Sequence, residues 1–106
     1  MPKYLLQSRY TADGAKGVIK EGGSARRAAT AKAIESAGGK LESFYFAFGD
    51  VDAYIIADLP DNVTAAAAAL ISNETGAVTT KTVVLLTPED IDAAAKKSIP
   101  YRAPGH

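Results

Sequence analysis

Residues 40–59, KLESFYFAFGDVDAYIIADL, contain two strand-like stretches on either side of a short turn. In the first stretch, residues 40–48, phenylalanine recurs at every second position from Phe44, which predicts a strand with these rings on one face. The apolar residues of the second stretch, residues 52–59, also alternate. Because a link as short as Gly49-Asp50 joins antiparallel strands, this segment predicts a β-hairpin.

Strand and helix patterns flank this hairpin on both sides. Strands are predicted over residues 3–10 and 78–87, long helices over residues 24–38 and 61–73, and short helices over residues 11–19 and 87–97. Ser24 is expected to cap the first long helix, and Asp61 or Asn62 the second. With right-handed crossovers, this order predicts an α+β, ferredoxin-like βαββαβ domain, in which both long helices cover one face of a four-stranded antiparallel sheet.

The domain is expected to span residues 1–98, followed by an extended C-terminal arm over residues 99–106, which holds two prolines and a glycine. A length of 106 residues fits one domain. Twelve basic residues balance twelve acidic ones, which argues against a nucleic-acid partner. No apolar run approaches a membrane span, so a cytoplasmic protein without a membrane partner is expected.

The residue types also limit the chemistry. The chain has no cysteine, which removes thiol nucleophiles and disulfides and fits a reducing compartment. Its single histidine is His106, so neither a Ser–His pair inside the domain nor a haem ligand is expected. We therefore expect no metal site and no cofactor.

Apolar residues occupy both faces of the predicted hairpin. Leu41 and Tyr45 are expected opposite the phenylalanines of the first strand, and Tyr54 and Ile56 opposite Ile55 in the second. A sheet with one face in water should be polar on that face. We therefore predict a homo-oligomer, most simply a dimer, that associates through the helix-free face of the sheet. The alternative is that the C-terminal helix and arm fold back over this face.

A few polar residues are candidates for a site. Asp52, beside the hairpin turn, could act as a base, although aspartate is common in turns for structural reasons. Arg26 shares the sheet-facing side of the first long helix and could bind a carboxylate or phosphate, or form a surface salt bridge. These two are the catalytic candidates.

Tyrosines on three strands are candidates for the wall of a cleft between the helices and the sheet, unless they simply fill the core. They are Tyr4, Tyr10, Tyr45 and Tyr54. The predicted ligand-binding set therefore consists of Tyr10, Arg26, Tyr45, Asp52 and Tyr54.

Short motifs along residues 3–97 resemble the GYD-domain family, which consists of small bacterial proteins related in fold to the dimeric α+β barrels. The matching residues are Tyr4, Tyr10-Thr11, Gly14, Arg26-Arg27, Gly38-Gly39-Lys40, Phe44-Tyr45, Phe48-Gly49-Asp50-Val51-Asp52 and Asp58-Leu59-Pro60-Asp61. Val51 stands where the family motif leads us to expect tyrosine, so a role for that phenol is absent. The resemblance implies the fold and dimerisation, and it implies no particular activity.

Three hypotheses for the function follow. The first is a homo-oligomeric protein that binds a small organic molecule between sheet and helices. The second is a cofactor-independent enzyme, similar to monooxygenases or isomerases built on related barrels, which would use Asp52 and Arg26. The third is an assembly module. A cavity with polar side chains would favour the first two hypotheses, and a filled core the third.

Overall fold

The computed structural model describes all residues from Met1 to His106 and has an α+β fold. The strands are β1 (Lys3–Tyr10), β2 (Lys40–Phe46), β3 (Ala53–Asp58) and β4 (Val78–Leu85). The helices are α1 (Ala12–Glu21), α2 (Gly23–Ser36), α3 (Asn62–Glu74) and α4 (Pro88–Ala95). Each predicted element is present, so the type of every element is confirmed, although several boundaries differ by a few residues.

The four strands form one antiparallel sheet in the order β2-β3-β1-β4. Leu6 of β1 lies between Ile55 of β3 and Thr82 of β4, which sets the register at the centre of the sheet. The two central strands are the more buried ones, since every second residue of β1 and β3 is buried except near the end of β1. The buried residues of β1 and β3 therefore lie on the face that the helices cover, and the residues between them lie on the opposite face.

A β-bulge in β2 changes the predicted arrangement of this strand. Leu41 pairs with Ala57 but Ser43 pairs with Ile56, so Glu42 is the extra residue. The bulge places Leu41 on the same face as Phe44, and both pack against the core. The expectation that Leu41 lies opposite the phenylalanines is therefore wrong.

The core lies between α2, α3 and the helix-covered face. Ile34 of α2 and Ala65 of α3 join a cluster of buried side chains from the two central strands and from the residue that follows β3. The other members of the cluster are Tyr4, Leu6, Ile55, Ala57 and Leu59. Tyr4 is completely buried, and its hydroxyl donates a hydrogen bond to Asn62 Oδ1 at 2.7 Å. This bond ties the first turn of α3 to β1.

Polar caps determine where three of the helices begin. The side chains of Thr11, Asp61 and Thr87 accept hydrogen bonds from backbone N–H groups in the first turns of α1, α3 and α4. The expected cap at Ser24 is wrong, because α2 begins one residue earlier and Gly22, at φ +84°, precedes it without a side-chain hydrogen bond. Glycine accommodates this positive φ without strain, which lets α2 follow α1 almost directly.

The opposite face of the sheet carries no helix, and we call it the open face. Its central row consists of Ser43, Ile56, Leu5 and Val83, and the next row of Tyr45, Tyr54, Gln7 and Lys81. At one end, Lys3 donates hydrogen bonds to Glu42 and Asp58, each at 2.9 Å, and these bonds raise the pKa of Lys3. The open face therefore combines an apolar centre with charged ends.

Residues 86–106, which we call the C-terminal segment, extend away from the rest of the chain. Every residue of this segment is exposed, including those of α4. The alternative in which the C-terminal helix and arm fold back over the open face is therefore wrong. None of the helices combines the length and apolar character that spanning a membrane requires.

Candidate functional site

A cavity of about 730 Å³ lies between the helix-covered face and the helices α1, α2 and α3. This volume is within the range of about 300–1,000 Å³ that is typical of small-molecule sites. Residues from three strands and three helices line it: Leu6, Ser8, Tyr10, Asp13, Gly14, Gly17, Val18, Lys20, Glu21, Arg26, Thr30, Ala33, Ile34, Ile55, Ala68, Ala69, Ser72, Thr75, Ala77, Val78 and Thr80. The cavity adjoins the core, so its deepest wall is apolar.

Alanines allow this cavity to exist. Ala33 on α2 and Ala68 and Ala69 on α3 point short side chains toward the space above Leu6 and Ile55. Longer side chains at these positions would fill the space between the helices and the sheet. The alanine-rich stretch of α3 therefore leaves part of the sheet uncovered.

Hydroxyl groups form a polar band on the wall of the cavity. Ser8 is only 5% exposed, and its Oγ lies 3.4 Å from Thr80 Oγ1 on the neighbouring strand. Thr30 Oγ1 donates to the carbonyl of Arg26 at 3.0 Å, and Ser72 Oγ donates to the carbonyl of Ala68 at 2.7 Å. The hydroxyls of Thr30 and Ser72 both donate their hydrogen to a carbonyl of their own helix. Each can therefore act toward a ligand only as a hydrogen-bond acceptor.

Charged side chains surround the opening of the cavity. Two of them, Asp13 and Glu21, are acidic, and two, Lys20 and Arg26, are basic. Arg26 Nη1 lies 3.4 Å from Glu21 Oε1, and the guanidinium forms no hydrogen bond with another side chain. Such a half-exposed ion pair contributes little stability. Most donors of the Arg26 guanidinium are therefore available to an acceptor on a ligand.

Tyr10 is half-buried near this ion pair. Burial raises the pKa of its phenol, the charge of Arg26 opposes that rise, and the charges of Asp52 and Glu21 add to it. The ring also lies beside Phe46, with 6.4 Å between the ring centroids. Tyr10 therefore presents a protonated hydroxyl at neutral pH, close to a cation and to an aromatic ring.

Asp52 supports the site from outside. Its Oδ2 accepts a hydrogen bond of 2.9 Å from the backbone N–H of Tyr10, and its own backbone N–H donates to the carbonyl of Ser8 at 2.9 Å. Asp52 is not among the residues that line the cavity. The carboxylate therefore holds the end of β1 in place, and with it the two lining residues Ser8 and Tyr10.

Gly14 determines how closely α1 approaches the sheet. A Cβ atom at this buried position would lie 1.8 Å from the carbonyl oxygen of Ala77. Thr11 adds to this contact, because its N–H donates to Ala77 O at 3.0 Å and its hydroxyl to Gly76 O at 2.8 Å. The absence of a side chain at Gly14 thus lets α1 form one wall of the cavity.

Two of the predicted tyrosines lie elsewhere. Tyr45 and Tyr54 pair across β2 and β3 on the open face, where they are 70% and 39% exposed. The expectation that they line a cleft between helices and sheet is wrong, because the register places Tyr54 beside Gln7 and not beside Ser8. Tyr4 lies in the core. Of the predicted set, Tyr10 and Arg26 come together at the cavity.

Several lining residues were not predicted from the sequence. Glu21 and Lys20 belong to a helix that was expected to end at Ile19. Thr80 and Ser72 are polar residues among apolar ones, and nothing else in the sequence marks them as site residues. Ser8 did give a signal, since it interrupts the apolar face of Tyr4 and Leu6. No group of three or more histidine or acidic side chains suitable for holding a metal ion occurs in the structure.

Comparison with known families gives one match. The family model of the GYD domain matches residues 4–95. The chain belongs to the GYD-domain family. The match confirms the family resemblance of the sequence motifs, and it extends from β1 to the last residue of α4. Neither a curated protein nor a solved structure matches the chain closely enough to indicate a relationship.

In this GYD domain, several motif residues are located at the cavity. Tyr10, Gly14 and Arg26 line it, and Thr11 caps the helix that carries Gly14. Val51, which stands at the expected tyrosine position, belongs to the link between β2 and β3. Three motif residues therefore meet at the cavity, one from β1, one from α1 and one from α2.

Proposed function

We propose that this GYD domain binds a small organic molecule in the cavity between its helices and its sheet. The cavity itself carries this proposal: a space of about 730 Å³ with an apolar deep wall, a band of hydroxyls and one arginine without side-chain hydrogen bonds. Such a combination of an apolar wall and a few polar groups holds and orients ligands in many proteins. The presence of this cavity supports ligand binding more than a pure assembly module, because an assembly module was expected to have a filled core.

The lining residues favour one chemical class of ligand. The deep wall formed by Leu6, Ile34 and Ile55 suits an apolar body, and the Arg26 guanidinium at the opening suits a carboxylate. Tyr10 adds a hydroxyl donor beside Arg26. We therefore expect a ligand with an aromatic or aliphatic body and one acidic group.

Titration with paired probes tests this proposal. Benzoate, phenylacetate and hexanoate, each compared with its uncharged amide, would be titrated by ligand-observed NMR and calorimetry. We expect the acids to bind more tightly than the amides, and Arg26→Ala to weaken acid binding by about 10- to 150-fold, the loss of about 1.5–3 kcal/mol typical of a hydrogen bond to a charged group.

Arg27→Ala is the matched control, because Arg27 is the next residue on α2 and does not line the cavity. Its affinity for the acids should equal that of the unmodified protein. The absence of any binding, or equal effects of the two arginine variants, would refute the proposal. Native mass spectrometry of freshly purified protein would also detect any ligand that the protein retains from the cell.

The enzyme hypothesis is the second candidate. The residue proposed as its base, Asp52, hydrogen-bonds to the Tyr10 backbone and lies outside the cavity lining. This position suits a structural role better than proton abstraction from a ligand. Tyr10, Asp13, Lys20 and Glu21 are the titratable groups at the opening other than Arg26, so an acid–base reaction in this cavity would have to involve one of them.

The arrangement of the sheet supports two further parts of the proposal. Taken from the β4 edge, the strand order is β4-β1-β3-β2, which we interpret as the ferredoxin-like arrangement. We also propose a dimer of the α+β-barrel type, in which the open face contacts a second copy. The apolar centre of that face, where Leu5, Ile56 and Val83 are only half-buried, and the exposed Tyr45 and Tyr54 beside it support this dimer. A cytoplasmic location stays a prediction that rests on the cysteine-free sequence.

A further inference from the structure

The chain exposes far more surface than is typical of a folded monomeric protein of its size. Its accessible surface is 7574 Å², whereas a monomeric protein of this mass exposes about 5,600 Å². Its radius of gyration is 16.8 Å, compared with about 13 Å for a compact domain of about 100 residues. The excess of about 2,000 Å² is enough surface for a stable protein–protein interface.

Much of this excess belongs to the C-terminal segment. All of its residues are exposed, among them the apolar side chains Leu86, Ile91, Ile99 and Tyr101. The segment nevertheless contains a well-defined helix: Thr87 and Asp90 form a complete capping box, and Pro88 occupies the first helical position. A helix of eight residues is too short to be stable alone in water, so α4 needs a surface to pack against.

The open face of the sheet offers a surface of matching character. Its central row has Leu5, Ile56 and Val83, which suits the exposed Ile91 of α4. Beside this row, Arg9 and Lys81 are exposed and form no ion pair. The helix α4 carries three acidic residues, Glu89, Asp90 and Asp92, and no basic one. Apolar contacts and opposite charges thus fit together along α4 itself, and the basic residues of the segment, Lys96, Lys97 and Arg102, follow the helix.

We propose that the C-terminal segment of one copy packs against the open face of a second copy, and that the exchange is reciprocal. The segment does not reach the open face of its own chain, whereas a two-fold dimer would cover both open faces with the two segments. This inference rests on the proposed association of two copies through the open face, and it places the partner's segment, in place of the partner's sheet, on that face.

The first experiment removes the segment. Sedimentation equilibrium would compare the full chain with a chain that ends at Leu85, the last residue of β4. We expect a dimer of the full chain, and a dissociation constant at least about 30-fold higher after truncation, the effect of losing one hot-spot residue. Because the segment buries nothing in its own chain, circular dichroism should show that the truncated chain keeps its sheet.

Complementation makes the test specific. A full-length Leu5→Glu variant has an intact segment and a damaged face, whereas the truncated chain has an intact face and no segment. Each should be monomeric alone, and a mixture of the two should form heterodimers. The absence of heterodimers in the mixture would overturn the inference.

Disulfide cross-linking tests the contact in the full chain, even if truncation impairs folding. Since the chain has no cysteine, the double variant Lys81→Cys, Asp92→Cys should form a covalent dimer in mild oxidant, and each single variant should not. A dimer that persists after truncation and cross-links through Lys81→Cys alone would indicate direct packing of sheet on sheet. That result would overturn the exchange of segments and leave the proposed dimer intact. A monomeric full chain would overturn both.

Discussion

The carboxylate of Asp52 accepts a hydrogen bond from the backbone N–H of Tyr10 across 2.9 Å, at the point where the pairing of β1 with β3 ends. The paired residues closest to this point are Ser8 and Ala53. The Asp52 side chain thus adds one hydrogen bond between the two central strands beyond the last pair of their backbone ladder. This bond positions Tyr10 at the opening of the cavity.

We expect Asp52→Ala to lower the free energy of unfolding by about 1–3 kcal/mol, because the N–H of Tyr10 loses its acceptor. Asp52→Asn retains an acceptor oxygen and should have a smaller effect. Urea unfolding followed by circular dichroism measures both. Asp50→Ala, in the exposed turn, is the control and should change the free energy by less than about 0.5 kcal/mol. Equal effects at the two positions would show that the bond to Tyr10 contributes nothing.

Two glycines of α1 should respond in opposite directions to alanine. Gly14→Ala places a methyl group against the carbonyl of Ala77, so we expect a loss of about 1–3 kcal/mol, typical of overpacking. Gly17 has open space around it, so Gly17→Ala should gain up to about 1 kcal/mol from helix propensity. Thermal unfolding of the two variants measures this difference, and a Gly14→Ala variant as stable as the Gly17→Ala variant would contradict the close approach of α1.

Asp61, the cap of α3, should make the free energy of unfolding depend on pH in the acidic range. Hydrogen bonds from the backbone and side chain of Thr64 hold the pKa of Asp61 below its ordinary value of 3.8. The unfolded chain therefore takes up the proton first as the pH falls. The contribution of Asp61 is complete above pH 3.8 and is lost as the pH falls through the lower, folded pKa.

Urea midpoints measured between pH 2.5 and pH 6 test this expectation. Asp61→Asn keeps a capping oxygen and cannot ionise, so its midpoint should fall less steeply with acid than that of the unmodified protein. Identical pH profiles for the two proteins would show that the Asp61 carboxylate does not contribute to acid sensitivity.

Filling the cavity should separate stability from ligand binding. Ala68→Leu adds apolar atoms inside the cavity, so we expect unchanged or higher thermal stability and a loss of at least about tenfold in affinity for the acid probes. Ala67→Leu adds the same atoms at an exposed position of α3 that does not line the cavity. It should leave the affinity unchanged. If Ala68→Leu binds the probes normally, the ligand site lies elsewhere.

Local signals made most of the fold predictable. The caps Thr11, Asp61 and Thr87 and the alternation in β1 and β3 act within a few residues, so they are visible in the sequence itself. The bulge at Glu42 is different, because it depends on the pairing of β2 with a strand that follows it in the chain. The boundary between α1 and α2 was also missed, since a glycine with positive φ replaces a side-chain cap there.

The candidate site was predictable only in part. Arg26 was found because helical periodicity places it on the same side as Ile34, and Tyr10 because it alternates with Leu6. The positions of Tyr45 and Tyr54 required the register between strands, which no single stretch of sequence contains. Glu21 was missed for the same kind of reason, because it meets Arg26 only where two helices join.

The bulge at Glu42 also has a consequence for aggregation. β2 is an edge strand, and an edge with unpaired N–H and C=O groups can recruit further strands and grow into fibrils. The extra residue, Glu42, interrupts the regular spacing of those groups and carries a charge, and Lys40 adds a second charge two residues earlier. Sideways growth of the sheet is therefore disfavoured at this edge.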